Sequence, residues 1–395
     1  MQRKLNILFI AQDSLKKELG GPKVVMELGE AISKLGHQVT VIDPIIIAEH
    51  LRKESIKVSN IWAENVKEYL LSIPEQYDII DVDANFLYPL IRENKDKTLI
   101  VARSVLLIPH LEDIKFPRRR TIKSIASELF RMILFGNPQK TKIARFYLSL
   151  DQADIISVSN HKDVLKLIQK GYPKDKIVNL PFGIEKKKKE AFHRIANEPR
   201  CSNKVAFIGT FDFRKGCIDI PKIFANVKEH IPDADLTLFG AKGLFQTEKK
   251  IYSFFPKYLR ESVSVKLSFR EEELPELLKK YKVGMFPSYL EGFGFSVIEL
   301  CSAGIPVIAY DAPGPSSILS PEYLVSSGDW KSMAEKLIFY LRNEKKWSTA
   351  HREMIQLSEK YDWKLIGEQT VEIYSKKLKE KVNSEYASEY SNLKW

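Results

Sequence analysis

Apolar residues fall in short, evenly separated runs through the first part of the chain: Leu5–Ala11 (LNILFIA), Gln38–Asp43, Tyr77–Asp83, Thr98–Ser104 and Ala153–Ser159. Helically spaced stretches lie between them, as in Val24, Leu28, Ala31, Ile32 and Leu35. Runs without a polar alternation suit strands buried on both faces, and their alternation with helices points to a parallel α/β sheet. A second series follows at Lys204–Thr210, Ala234–Gly240, Ser262–Ser268, Lys282–Ser288 and Ile305–Asp311. The pattern predicts two Rossmann-like, doubly wound halves. Between them, Phe182–Asn203 is polar, basic and without strong periodicity, and reads as the linker. From Ser375 onward the pattern is that of a charged helix.

Composition narrows the class. With 395 residues, 44% hydrophobic and 29% charged, the chain is long enough for two cores. No apolar run approaches the ~18–20 residues of a membrane span. The opening MQRKLNILFIAQD has no small-residue cleavage site and reads as a first strand, not a leader. Cys201, Cys217 and Cys301 have neither paired nor metal-ligand spacing, which suits reduced thiols of a cytoplasmic protein. Of the net charge of +11, the segment Ile114–Leu150 carries +8, with Lys or Arg at nine positions and Glu128 as its one acid. Such a segment favours an anionic partner. Within it Ile122, Ile125, Ala126, Leu129 and Ile133 follow helical spacing among cations such as Arg119, Arg120, Lys123 and Arg131. This is the pattern of a basic amphipathic helix at an anionic membrane surface. No aromatic platform accompanies the cations, so no nucleic-acid partner is expected.

Three stretches carry candidate chemistry. In Phe286–Gly314 (FPSYLEGFGFSVIELCSAGIPVIAYDAPG), Glu291 lies in a glycine-rich loop and Glu299 in the helix that follows. Ligands of open α/β sheets bind beyond the carboxyl ends of strands, where this loop falls. The backbone amides from Phe293 and Gly294 to Phe295 and Ser296 suit a phosphate. Glu291 can accept from sugar hydroxyls and Glu299 from the paired hydroxyls of a ribose. In Phe207–Phe224 (FIGTFDFRKGCIDIPKIF), Arg214 and Lys215 are expected to open a helix, where two cations are sensible only beside an anion. In Ser14–Asp43, Gly20 and Gly21 are expected in the loop between the first strand and the first helix.

Together these stretches resemble the retaining glycosyltransferases of the GT-B fold, family 4. The first matches that family's E-x7-E signature, the second its phosphate loop, and the third its GG…GHxVxV opening. The resemblance spans roughly Leu5 to Tyr374. It implies an N-terminal Rossmann-like acceptor domain over 1–182, a nucleotide-sugar domain over 183–361, and a terminal helix, 362–395, that crosses back onto the first. It implies a hexose moved from a nucleoside-diphosphate sugar to an acceptor hydroxyl, in cell-surface glycan or glycolipid synthesis. Glu291 would touch the donor sugar, Glu299 the ribose, and Lys215 the diphosphate. The chain departs from the family at Thr210, where an Arg is usual, with Arg214 as the candidate substitute. It departs also at Arg103-Ser104, where a sugar-contacting His is usual; Arg103 and His110 are the candidates there. Asp81-Val82-Asp83 has D-x-D spacing but ends an N-domain strand, so neither metal nor other cofactor is expected. The expected partners are a nucleotide-sugar donor and a glycan or lipid-linked acceptor, and the expected place is the cytoplasm or the inner face of a membrane. A catalytically silent subunit of the same fold, or a sugar-nucleotide epimerase, is the alternative.

Overall fold

The computed structural model describes residues 3–16, 20–53, 59–73, 76–90, 97–118, 137–198, 200 and 203–392. Two six-stranded parallel sheets lie one after the other along the chain. The first is built from β1 (Asn6–Ile10), β2 (Gln38–Ile42), β3 (Ile79–Asp83), β4 (Leu99–Arg103), β5 (Ile155–Val158) and β6 (Ile177–Asn179), in the order β2-β1-β3-β4-β5-β6. The second is built from β7 (Lys204–Ile208), β8 (Asp235–Phe239), β9 (Val263–Lys266), β10 (Val283–Phe286), β11 (Val307–Tyr310) and β12 (Leu324–Val325), in the order β12-β11-β10-β7-β8-β9. The apolar runs form ten of the twelve strands. The two others, β6 and β12, are edge strands of three and two residues, too short to show a pattern. Central strands β3, β4, β10 and β11 are buried at every position, as helices on both faces require.

The predicted linker contains a helix, Lys186–Ala196, which the run of lysines conceals. Its buried positions Lys189, Phe192, Ile195 and Ala196 have helical spacing. Just before it the chain passes between the sheets, and it passes back before the helix Trp363–Asn392. The two passages run side by side: Ile184 N–H donates to the Tyr361 carbonyl at 2.9 Å, and Ile184 bridges Asp362 in parallel. Phe182 stacks on Trp363 with ring centroids 6.4 Å apart. A Cβ on Gly183 would lie 2.8 Å from the Trp363 ring, so only glycine lets the strands meet here.

The last helix lies along the helix Gly20–Lys34 of the N-terminal half, where Gly367 allows contact with Ala31. Its Trp363 indole donates to Glu27, and its Lys381 reaches the Thr98 carbonyl at 2.7 Å. A buried triad fixes it further. Arg103 Nη2 donates to Asp81 at 2.5 Å and to the Tyr374 hydroxyl at 2.9 Å, with Arg103 2% and Asp81 0% exposed. This corrects one expectation, since Arg103 spends its guanidinium on the core and not on a sugar. The same contact removes Asp81 from any D-x-D site.

Truncating one member of a buried ion pair strands the other, at a cost of about 3–5 kcal/mol. Asp81→Ala should therefore lower stability by about that much in urea unfolding, and adding Arg103→Met should recover much of the loss. A loss below about 1 kcal/mol for Asp81→Ala would remove the triad as an anchor of the last helix.

Candidate active site

In the second sheet the strand order reverses between β7 and β10, and the loops that follow these two strands meet. Gly216 has φ +79°, and a Cβ there would fall 2.2 Å from the Pro287 carbonyl, so glycine permits the approach. Tyr289 N–H donates to the Arg214 carbonyl at 2.9 Å. Buried Asp219 accepts from the hydroxyls of Tyr289 and Tyr310, tying the first loop to the second and to β11. Arg214 and Lys215 do not open a helix, contrary to the sequence expectation. They stand in a series of turns, and the helix begins at Ile220, where Pro221 favours a first turn. Thr210 Oγ1 donates to Asp212 Oδ2, while Asp212 Oδ1 accepts from the Lys215 amide. Thr210 thus shapes the turn that presents Lys215.

Both cations point to the same carboxylate. Lys215 Nζ lies 2.5 Å and Arg214 Nη1 3.1 Å from Glu291 Oε1, and the Ser288 hydroxyl donates to that oxygen at 2.7 Å. Burial pushes the Glu291 carboxyl up, but Lys215, Arg214 and Ser288 outweigh it and hold it below the usual range. The glutamate is therefore ionised and rigid. Arg214 also donates to the Leu290 carbonyl at 2.7 Å.

Next to Glu291, the glycine loop turns inward to the other domain. The Gly292 carbonyl accepts from Ser159 Oγ at 2.9 Å and Asn160 Nδ2 at 2.6 Å. A Cβ on Gly292 would lie 1.6 Å from the Val105 carbonyl. Gly294, at φ +102°, caps the helix Phe295–Ser302, and its carbonyl accepts from the Val297 amide at 2.9 Å, while the amides of Phe295 and Ser296 precede any intrahelical acceptor. The ring of Phe293 is core, 5.4 Å from both Phe182 and Tyr361, and Phe295 stacks on Phe182. These two residues therefore offer a ligand their backbone, not their rings.

One turn into that helix, Glu299 Oε1 pairs with Lys188 Nζ at 2.5 Å. Lys188 also meets Glu271 at 3.3 Å, and Glu271 pairs with Lys23 of the N-terminal half at 2.7 Å. Burial lowers the Lys188 pKa, but Glu299 and Glu271 more than reverse that, and the net shift is upward. Gly20 and Gly21 belong to the first turn of the helix Gly20–Lys34 and not to a loop before it. Gly21 faces the Gln12 side chain, which a Cβ would approach to 3.1 Å. His110 is buried in a single 3-10 turn, Ile108–Glu112, with Nε2 2.7 Å from Asp163 Oδ1. Burial raises the Asp163 pKa, and His110 opposes that shift. Asp163 follows β5 in the loop-to-helix turn that also supplies Ser159 and Asn160, which places His110 beside the Gly292 contact.

Sequence reasoning missed Lys188, Asp163, Asp219 and Tyr289. A run of four lysines gives no sign of which one faces inward. Asp163 had a signal: Asn160 is the N-cap of the helix His161–Gln169, which directs the third residue after it. The amphipathic stripe Ile122–Ile133 lies outside the described residues. Among the described residues no helix is long and apolar enough to cross a membrane, and no cluster of metal-ligating side chains occurs.

Residues 188–357 match the model of the family described as glycosyl transferases group 1. The capsular polysaccharide biosynthesis glycosyltransferase CapM of Staphylococcus aureus is 25% identical over 60% of this chain and 64% of its own length. The phosphatidyl-myo-inositol mannosyltransferase of Mycobacterium leprae is 24% identical over 50% of this chain and 53% of its own. The matches thus span between half and two thirds of these relatives. Among solved structures, Anabaena HepE in complex with UDP superposes with a TM-score of 0.67 at 16% identity, covering 94% of this chain and 100% of that one. WaaG, a glycosyltransferase involved in lipopolysaccharide biosynthesis, gives 0.64 at 16%, covering 93% and 99%.

The ion pairs make their own test. Lys188→Met would leave Glu299 and Glu271 facing each other, and should lower stability by roughly 1–3 kcal/mol, less than a fully buried pair because Glu271 is 37% exposed. Unchanged urea unfolding in that variant would mean that the pairs are loose. Residues 188–357 are thus similar to the glycosyl transferases group 1, and the two-sheet architecture is that of the GT-B fold.

Proposed function

We propose that the chain is a retaining glycosyltransferase of family 4 that moves a hexose from a nucleoside-diphosphate sugar to an acceptor hydroxyl. The observation that carries this reading is the convergence of Lys215 and Arg214 on Glu291, beside the first turn of the helix Phe295–Ser302. Departure of a nucleoside diphosphate builds charge on its β-phosphate. Lys215, Arg214 and the helix amides are donors aimed at one place, and fixed donors need no rearrangement as that charge develops. The three contacts on Glu291 all go to Oε1, which leaves Oε2 to accept from a sugar hydroxyl. A carboxylate has about four acceptor positions, so Glu299 can keep Lys188 and still take both hydroxyls of a ribose. His110, held by Asp163, is the candidate for a further sugar hydroxyl. Attack and departure on the same face of the sugar, within one ion pair, is the course this reading favours.

The names of the relatives support a role in making cell-surface glycans or glycolipids, and UDP bound to a protein of the same fold supports a nucleotide-sugar donor. Association with an anionic membrane through Ile114–Leu150 is part of this proposal. Salt-sensitive co-sedimentation with anionic vesicles is expected, and its absence at low salt would remove that part.

The test is release of nucleoside diphosphate from a panel of nucleotide sugars. Lys215→Ala should reduce turnover by at least a hundredfold, in line with the roughly 3–4 kcal/mol that one such donor contributes. Glu299→Ala should act mainly on KM, because ribose contacts change little between ground and transition states. Activity should persist in excess EDTA. Normal turnover in Lys215→Ala would take this loop out of the mechanism. Loss in EDTA restored by Mg²⁺ would show that a metal, and not Lys215, carries the diphosphate.

A further inference from the structure

Buried cations in this chain are met by carboxylates: Lys23, Arg103, Lys166, Lys189 and Lys282 each form an ion pair. Among the described residues Arg200 is the exception. It is 3% exposed, and its guanidinium meets backbone carbonyls alone. Nη1 donates to Tyr281 at 2.7 Å, and Nη2 to Ala303 at 2.5 Å and Ile195 at 3.4 Å. Its buried Nε has no hydrogen-bond partner among the described residues. Carbonyls accept hydrogen bonds but do not neutralise a charge, and a charge taken out of water ordinarily has a counter-charge. Burial lowers the Arg200 pKa to about 10, with no acid to oppose it.

Arg200 lines a cavity of about 590 Å³ together with Lys282, Trp347 and His351. The volume is within the range of small-molecule sites, roughly 300–1,000 Å³. Arg200 precedes β7, Lys282 directly precedes β10, and both rings belong to the helix Glu344–Ser358. The cavity is therefore at the amino ends of the strands, on the opposite edge of the sheet from Lys215 and Glu291. Lys282 Nζ donates to the Leu341 carbonyl at 3.1 Å and to Glu344 at 2.7 Å, which leaves its third N–H. That ammonium also lies over the Trp347 ring, 5.7 Å from its centroid. His351 Nδ1 is 2.7 Å from the Gly304 carbonyl, which can only accept, so Nδ1 carries the proton and Nε2 is left for another group. Burial lowers the His351 pKa, and Arg200 and Arg352 lower it further against the Gly304 hydrogen bond. The local field is thus positive. The two acids at the cavity, Glu198 and Glu344, are exposed, and each is engaged by a lysine, Lys279 at 3.5 Å and Lys282 at 2.7 Å.

A phosphoryl group offers three oxygens and close to two negative charges, which matches three donors set around an unpaired guanidinium. We propose that this cavity binds a phosphate monoester of a small polar molecule, with the phosphoryl oxygens accepting from Arg200 Nε, Lys282 Nζ and His351 Nε2. The cavity is larger than a phosphate ion needs, and the ester's alcohol part has Trp347 and the exposed Asn197 beside it. Through the Ala303 carbonyl, Arg200 also closes the end of the helix Phe295–Ser302. The cavity and the candidate donor site thus lie at opposite ends of one helix.

The experiment is calorimetric titration of the full chain with glycerol 3-phosphate, inorganic phosphate and glycerol. Glycerol 3-phosphate should bind about tenfold more tightly than inorganic phosphate, and glycerol should not bind. Arg200→Met and Lys282→Met should each weaken glycerol 3-phosphate by about tenfold or more, the loss of one hydrogen bond to a charged group. His351→Gln changes a partly exposed residue, keeps a donor for the Gly304 carbonyl, and should weaken binding in the same direction, which decides the matter if the buried variants do not fold. Lys215→Ala should bind glycerol 3-phosphate within about twofold of the unaltered chain, as separate sites require. No binding to the unaltered chain would overturn the proposal, as would equal binding by Lys282→Met and His351→Gln. Loss of binding in Lys215→Ala would overturn it too, by assigning the phosphate to the other edge of the sheet. Inorganic phosphate bound as tightly as glycerol 3-phosphate would overturn the choice of an ester.

Discussion

A carboxylate taken out of water must be met by charge and hydrogen bonds, and Glu291, 8% exposed, is the place where this requirement shapes the molecule. Lys215 and Arg214 come from the loop after β7, Ser288 and Glu291 from the loop after β10, so satisfying one charge locks two loops together. The next residue, Gly292, then has a fixed position from which its carbonyl meets Ser159 and Asn160. The charge site and the contact between the halves are thus neighbours on one short loop. A change that loosens Glu291 would be felt at the interface as well.

A second line of charges ties the other side of the molecule. Glu299, Lys188, Glu271 and Lys23 come from four separate segments, the last of them in the N-terminal half. Lys23 also lies 3.8 Å from Glu27, which accepts from the Trp363 indole. The helix that holds Glu299 is in this way connected to the last helix and to the place where the chain crosses between the halves. Such a chain of alternating charges gives Glu299 a defined position without removing its capacity to accept further hydrogen bonds.

The legible parts of this architecture were those governed by periodicity. Buried parallel strands must be apolar throughout, so the central strands stood out, whereas β6 and β12 are too short to carry a pattern. The pairing of Glu291 with the Arg214–Lys215 loop is not local: 76 and 77 positions separate partners that topology alone brings together. The sequence therefore pointed to both loops without showing that they share one carboxylate. Lysine at four consecutive positions reads as a solvated run, yet helical geometry turns Lys188 and Lys189 inward to Glu299 and Glu359. Arg103 shows the reverse error. Its place at the carboxyl end of β4 suggested the cleft, but a 2.5 Å contact with Asp81 uses it in the core.

The central claim is that Lys215, Arg214, Glu291 and Glu299 form one site for a nucleoside diphosphate bearing a sugar. A crystal structure of the chain with UDP tests this most directly. The account predicts the diphosphate between Lys215 and the first turn of the helix Phe295–Ser302, with the ribose hydroxyls on Glu299. A diphosphate bound away from Lys215, or a ribose that leaves Glu299 paired with Lys188 alone, would contradict it.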